Sequence, residues 1–312
     1  MERNESENKK NYWIIFAIIA IIIFTILSVY YFQELKRNIN NKELLLKEIN
    51  SIKETEQKGI KENKDIEKQI ENLKNINENI QEEKEITLNN AKILEQKIIK
   101  KETNYKIAYL TFDDGPYYNT HKVLDVLKKY KVKATFFTIG LDKDDCYDNK
   151  KESCKELYLK EVEEGHTIAN HTYSHLIFKG LYTSADSFIE QVKKQEKLIK
   201  ERTGVTTNIV RFPGGSGTAN AYGIKDQAIN KLRENGYGWV DWTAQDGDGG
   251  WVATGDIAWN NLVKEINEDI EVIVFHDYST QTLSILPKTI EYLQNKNYIL
   301  LPLFYDSVKV NK

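Results

Sequence analysis

The chain has 312 residues, with 44 Lys and Arg against 47 Asp and Glu for a formal charge of -3. That balance excludes the basic footprint of a nucleic-acid-binding protein, and 40% hydrophobic residues exclude wholesale disorder. Two cysteines, Cys146 and Cys154, are too few for a disulfide scaffold and support one optional disulfide at most.

Composition along the chain divides it into unlike parts: the first 114 residues contain a single glycine, Gly59, and the four prolines all lie beyond them. Residues 1–11 are a short polar tail. Residues 12–32 carry no charge, and at 1.5 Å per residue such a helix crosses a hydrocarbon core of about 30 Å. The segment ends in bulky Tyr30, Tyr31 and Phe32 rather than a small-x-small cleavage site, so it reads as a retained anchor and not a signal peptide. Aromatic residues at both of its ends match interfacial belts.

Residues 33–102 are rich in Lys, Glu, Asn, Gln and Ile without proline. Leu45, Ile49 and Ile52, then Ile66, Ile70, Leu73, Ile76 and Ile80, form a helical stripe. A helical stalk is expected, a coiled coil or a solvated single helix, reaching about 100 Å if continuous. The periodicity is too irregular to choose an oligomer, which leaves homo-oligomerisation through the stalk open.

From residue 103 to 312 short β-branched and aromatic runs alternate with amphipathic helical patterns. Strands are expected at 106–112, 133–139, 166–170, 208–212, 237–242, 270–275 and 298–303. Helices are expected near 119–130, 156–164, 185–202, 224–235, 256–268 and 283–295. Seven strand-helix units predict a parallel α/β fold, a distorted (β/α)7 barrel, with its chemistry at the carboxyl ends of the strands.

The unusual residues fall at those ends. Asp113 and Asp114 follow the first strand in TFDDGP, which on its own also suits a surface turn. His171 and His175, after the third strand, are four residues apart and would share a face of one helical turn. Two histidines and a carboxylate make a three-ligand metal set with a position left open. Arg211 lies at the end of the fourth strand and His276 follows the sixth. His121 and His166 read as structural.

With these motifs in order, the segment from about residue 105 to 312 resembles the polysaccharide deacetylases, the NodB homology domain of carbohydrate esterase family 4, including their membrane-anchored peptidoglycan N-acetylglucosamine deacetylases. The resemblance makes Asp113 the general base and Asp114 a metal ligand, with His171 and His175 meeting the family's H-[ST]-x-x-H motif. Arg211 to Pro213 stand for its R-x-P motif, and Val274, Phe275 and His276 for L-x-H. The family's D-x-x-D-W appears as QDGDG over 245–249, with Gln245 for the first aspartate and Gly249 for the tryptophan. Asp248 keeps its place, Asp246 is the alternative, and Trp242 or Trp251 would supply the missing aromatic wall. The family position for an oxyanion donor falls on the Gly214 backbone N–H. Gly214 and Gly215 stand where many relatives carry an aromatic residue, which implies a more open groove.

The residue types also define a chemistry. A divalent ion on Asp114, His171 and His175 would acidify water and polarise an amide carbonyl. Arg211 would aim Asp113 as the base, and His276, made more basic by Asp248, would protonate the leaving amine. Zinc is the expected ion, with Co2+, Ni2+ and Fe2+ compatible. The expected reaction is deacetylation of N-acetylglucosamine in a cell-surface polysaccharide. Peptidoglycan is the leading polymer, with poly-N-acetylglucosamine, chitin oligomers and xylan as alternatives.

Such a substrate implies a cytoplasmic amino terminus, one membrane span and an extracellular enzyme domain. The expected partners are therefore the wall polysaccharide and the membrane. A catalytically silent glycan-binding wall protein and an iron oxygenase with the same ligand set are the readings from other classes.

Overall fold

The computed structural model describes residues 89–140, 154–250 and 254–312. The expected anchor at 12–32 and the stalk up to residue 88 lie outside them. Among the described residues no helix is long and apolar enough to cross a membrane.

Eight parallel strands form one sheet: β1 (Lys106–Asp113), β2 (Thr135–Thr138), β3 (Thr167–Asn170), β4 (Ile209–Val210), β5 (Gly238–Trp239), β6 (Ala244–Gln245), β7 (Ile270–His276) and β8 (Tyr298–Leu301). Their order is β5-β4-β3-β2-β1-β7-β6. Along β1, β7 pairs with Ile107 to Asp113, while β8 and β2 pair with its first and last residues. No ladder joins β5 to β6 among the described residues, so the partial barrel is open there, consistent with the expected distorted barrel.

The connecting helices are α1 (89–99), α2 (Thr120–Tyr130), α3 (Cys154–Glu163), α4 (Ala185–Thr203), α5 (Gly215–Ala221), α6 (Lys225–Glu234), α7 (Gly255–Glu265) and α8 (Thr280–Asn295). Of the strand expected at 237–242 only β5 forms, and β6, beyond that run, was not expected. The strand expected at 208–212 shrinks to β4, because the residue before Pro213 is biased out of the regular ladder and into the turn that begins α5. α5 itself, GSGTANA, has no apolar stripe and was not expected.

Period-two alternation in β1 explains where the core and the site lie. Ala108, Leu110 and Phe112 join the layer beneath α2, α7 and α8, where Phe112 stacks on Phe136 at 5.2 Å and meets Phe275 at 5.6 Å. Ile107 and Tyr109 face the other way, into a cluster with Phe137, Ala169, Ile209 and Val240. Thr111 and Asp113 continue on that inner face, so the sequence of one strand delivers two polar residues to the barrel's interior at its carboxyl end.

α1 belongs to this body although it lies within the segment expected as stalk. Ala91 and Ile98 are buried against β1, β8 and the C-terminal segment. Glu95, 1% exposed, accepts hydrogen bonds from the Tyr109 hydroxyl at 2.6 Å, the Ser307 hydroxyl at 2.6 Å and the Val308 amide at 3.1 Å. Burial raises its pKa, and these donors oppose the rise. Glu95→Ala strands three donors, and leaving buried groups unsatisfied costs about 1–3 kcal/mol. The urea unfolding midpoint is therefore expected to fall, and an unchanged midpoint would show that α1 adds nothing to the domain.

Candidate active site

β1 and β7 run in register, so Asp113 and His276, each the last residue of its strand, are direct neighbours across the ladder. Asp114 then leaves the strand at φ +71, a left-handed conformation uncommon for a non-glycine residue and typical of functional turns. Its amide donates to Phe137 O at 3.2 Å. Gly115 follows where a Cβ would stand 2.1 Å from Asp277 Oδ2, so only glycine fits that approach.

The segment after β3 is a loop and not the expected helical turn. Thr172 and His175 have φ of +66 and +50, which folds His175 back toward His171 until their ring centroids are 4.9 Å apart. Asn170 braces the loop: its Oδ1 accepts the Thr172 amide at 2.9 Å and its Nδ2 donates to Val192 O at 2.8 Å.

Asp114, His171 and His175 therefore converge, with one ligand atom from each lying within 4.8 Å of the others. Asp114 Oδ1 is 3.5 Å from His171 Nε2 and 3.2 Å from His175 Nε2, and this buried oxygen has no hydrogen-bond partner. His171 Nδ1 lies 3.0 Å from the Arg211 carbonyl, an acceptor, so the proton sits on Nδ1 and the Nε2 lone pair faces Asp114. Burial, with the His175 ring beside it, holds His171 well below the ordinary histidine pKa. An orphaned buried carboxylate oxygen and a preset imidazole lone pair fit a divalent cation.

Asp113 faces a different partner. Arg211, fully buried, donates from Nη1 to Asp113 Oδ1 at 2.8 Å and to Thr111 Oγ1 at 2.7 Å. Its Nε and Nη2 reach Val240 O and Asp241 O, and its guanidinium lies 4.1 Å from the Phe137 ring centroid. Burial pushes the Asp113 carboxyl up while Arg211 opposes the rise. The other Asp113 oxygen is 3.7 Å from His171 Nε2, on the edge of the ligand cluster.

On the opposite side His276 Nε2 is 3.8 Å from Asp114 Oδ2. Asp248 Oδ1 accepts His276 Nδ1 at 2.7 Å and Asp248 Oδ2 accepts the His276 amide at 2.8 Å. It is thus Asp248 that holds the imidazole, and the alternative Asp246 sits behind it. Burial opposes the charge on His276, yet the Asp248 hydrogen bond and the surrounding carboxylates carry it up to about 10.

Gly249 approaches the imidazole so closely that a Cβ would meet Cε1 at 2.7 Å. The aromatic flank of His276 comes instead from Tyr278, 5.1 Å away, with Tyr117 at 5.9 Å from Tyr278. Trp242 lies over Arg211 and against Gly215 rather than beside His276, and Trp251 is outside the described residues. Gly214, exposed in the turn before α5, has an amide that donates to no protein acceptor among the described residues.

Sequence reading missed Thr111, Asp277, Tyr278 and Thr282. Tyr278 had a usable signal, an aromatic residue two positions beyond a strand-end histidine; the others act through contacts distant in sequence. Of the histidines read as structural, His166 is buried, with Nδ1 accepting the Ala134 amide. Cys154 is buried and disulfide-bonded.

A model of the polysaccharide deacetylase family matches residues 100–238. A Bacillus cereus protein named peptidoglycan-N-acetylglucosamine deacetylase is 33% identical over 199 residues, covering 62% of this chain and 67% of the relative. A bifunctional xylanase/deacetylase of Pseudobutyrivibrio xylanivorans is 32% identical over 62% of this chain but only 29% of its own length. Among solved structures, the catalytic domain of a peptidoglycan N-acetylglucosamine deacetylase from Eubacterium rectale aligns with a TM-score of 0.59 at 32% identity. That alignment covers 66% of this chain and 92% of that one.

Titration of the metal-stripped chain with Zn2+ or Co2+ is expected to load one ion, and His171→Ala or Asp114→Asn to abolish loading; full loading in both variants would remove them from the ligand set. Asp248→Asn is expected to drop His276 from about 10 toward the ordinary value of about 6.5, read from its imidazole NMR signals. A base with a raised folded pKa lends stability that is complete below its unfolded value and lost as pH rises through the folded one. The stability gap between the native chain and Asp248→Asn should accordingly narrow as pH climbs from about 6.5 to about 10.

Proposed function

The chain belongs to the polysaccharide deacetylase family, and from that premise we propose that it hydrolyses the N-acetyl groups of N-acetylglucosamine residues in a cell-surface polysaccharide, with peptidoglycan as the polymer. The observation that carries this reading is the meeting of a carboxylate-imidazole ligand set, an Arg-paired carboxylate and an Asp-paired imidazole at one rim of the barrel.

Asp114, His171 and His175 would hold a divalent cation, Zn2+ first and Co2+, Ni2+ or Fe2+ as alternatives, supplying Lewis acidity toward the acetyl carbonyl and a lowered water pKa. Asp113 accepts the proton of the attacking water, and its carboxylate is kept available and aimed by Arg211. The Gly214 amide donates to the oxyanion that develops on the acetyl oxygen. His276, charged because Asp248 stands behind it, gives its proton to the departing nitrogen, so that a neutral amine rather than an amide anion leaves. Acetate and a glucosamine residue are the products.

A wall polymer as substrate fits a chain anchored through residues 12–32, with its amino terminus cytoplasmic and the barrel, α1 included, held outside by a stalk that precedes α1. The disulfide at Cys154 supports an oxidising compartment for the enzyme domain.

Acetate release by the full, detergent-solubilised chain with zinc tests the reading, on isolated peptidoglycan, chitin oligomers and acetylated xylan. Acetate is expected from peptidoglycan foremost, and His276→Ala is expected to lower kcat by about 10²–10⁴-fold. Release from chitin or xylan alone would move the substrate assignment, and no acetate from any polymer would favour a silent glycan-binding protein.

A further inference from the structure

Behind the Asp248–His276 pair the hydrogen-bond count does not close with two ionised aspartates. Thr282, fully buried on α8, has one hydroxyl proton, yet its Oγ1 lies 2.7 Å from Asp246 Oδ2 and 2.5 Å from Asp248 Oδ2. Asp246, also fully buried, uses its other oxygen to accept the Asp248 amide at 3.0 Å. With both carboxylates charged, one of the two oxygen contacts to Thr282 would set lone pair against lone pair in a site closed to water.

We infer that Asp246 carries a proton and heads a directed relay: its O–H donates to Thr282 Oγ1, whose O–H donates to Asp248 Oδ2, while Asp248 Oδ1 accepts the His276 Nδ1–H. Every donor and acceptor in the chain is then used once or within its capacity. Burial and the adjacent Asp248 charge raise the Asp246 pKa, in accord with a neutral carboxyl. The His276 charge and hydrogen bond keep Asp248 below the ordinary value despite burial.

Asp246 and Thr282 are positioning residues. They touch no reacting atom but fix one ionised carboxylate behind the imidazole instead of two. The other titratable groups facing this chain are Asp114 and Asp113 beyond His276, Asp277 and Tyr278 next to it, and Glu265 of α7, whose carboxylate accepts the Gln245 amide. The inference concerns how His276 is held, and its catalytic consequence rests on the deacetylase reading above.

The test compares the full chain with Asp246→Asn, Thr282→Ser and Thr282→Val, following the Asp246 and Asp248 carboxyl carbons by NMR across the pH range. A hydrogen bond donated to an ionised carboxylate lowers its pKa by about one unit. Thr282→Val is therefore expected to raise the Asp248 pKa by about that much, and the Asp246 carboxyl carbon is expected to read as protonated near neutral pH.

Asparagine, which donates where the protonated aspartate does, and serine, which keeps the hydroxyl, are expected to leave Asp248 at its native position. A fall of the Asp248 pKa in Asp246→Asn, or an ionised Asp246 carbon signal near neutral pH, would show that Asp246 is an anion and would overturn the relay. So would a folded Thr282→Val with an unmoved Asp248. The NMR measurement stands even if no polymer releases acetate, which separates failure of the relay from failure of the proposed reaction.

Discussion

Two neighbouring carboxylates on one strand have to serve different partners, and the site depends on how the backbone separates them. Asp113 keeps β1 geometry and points inward to Arg211. Asp114 leaves the strand in a left-handed turn and meets the two histidines. Without that turn, strand alternation would send the two side chains to opposite faces of the sheet and only one would reach the rim. The strained residue is secured on both sides, by the hydrogen bond its amide donates to Phe137 O and by the close packing of Gly115 on Asp277.

The Asp113–Arg211 pair is the second fixed point. A buried arginine stabilises nothing by itself, since the desolvation of its charge is offset only when the geometry satisfies it throughout. Here the guanidinium donates to Thr111, Asp113, Val240 and Asp241 and lies against Phe137. The same residue's carbonyl sets the His171 tautomer. One side chain and its own backbone thus orient both the carboxylate proposed as base and an imidazole proposed as ligand, tying the ends of β1, β3 and β4 together.

The sequence made much of this readable because parallel strands deliver their chemistry at one end, where TFDDGP, His171 to His175, Arg211 and His276 announce themselves by residue type. Elements lacking periodicity were not readable: α5 is built of small polar residues, and β6 is two residues long. The loop at 171–175 mimics an i, i+4 helical pair in spacing while reaching the same proximity through positive φ angles. α1 shows the converse, since its proline-free run of Asn, Lys, Gln and Ile continues the stalk's bias while Ala91, Glu95 and Ile98 lock onto the barrel. Thr282 could not be singled out at all, because a threonine three residues beyond a serine N-cap is ordinary until the fold places two aspartates against it.

The altered fourth motif is less a loss than a rearrangement. Gly249 brings its backbone against the imidazole edge, Tyr278 flanks the ring, and Asp248 retains its hold on Nδ1 with a buried polar network behind. The central claim is the division of labour between adjacent aspartates, one for the proton and one for the cation. Measuring zinc content and acetate release on the same sample of Asp113→Asn tests it most directly. The account predicts full zinc occupancy with acetate release reduced by about 10²–10⁴-fold; loss of the ion, or turnover close to that of the native chain, would contradict it.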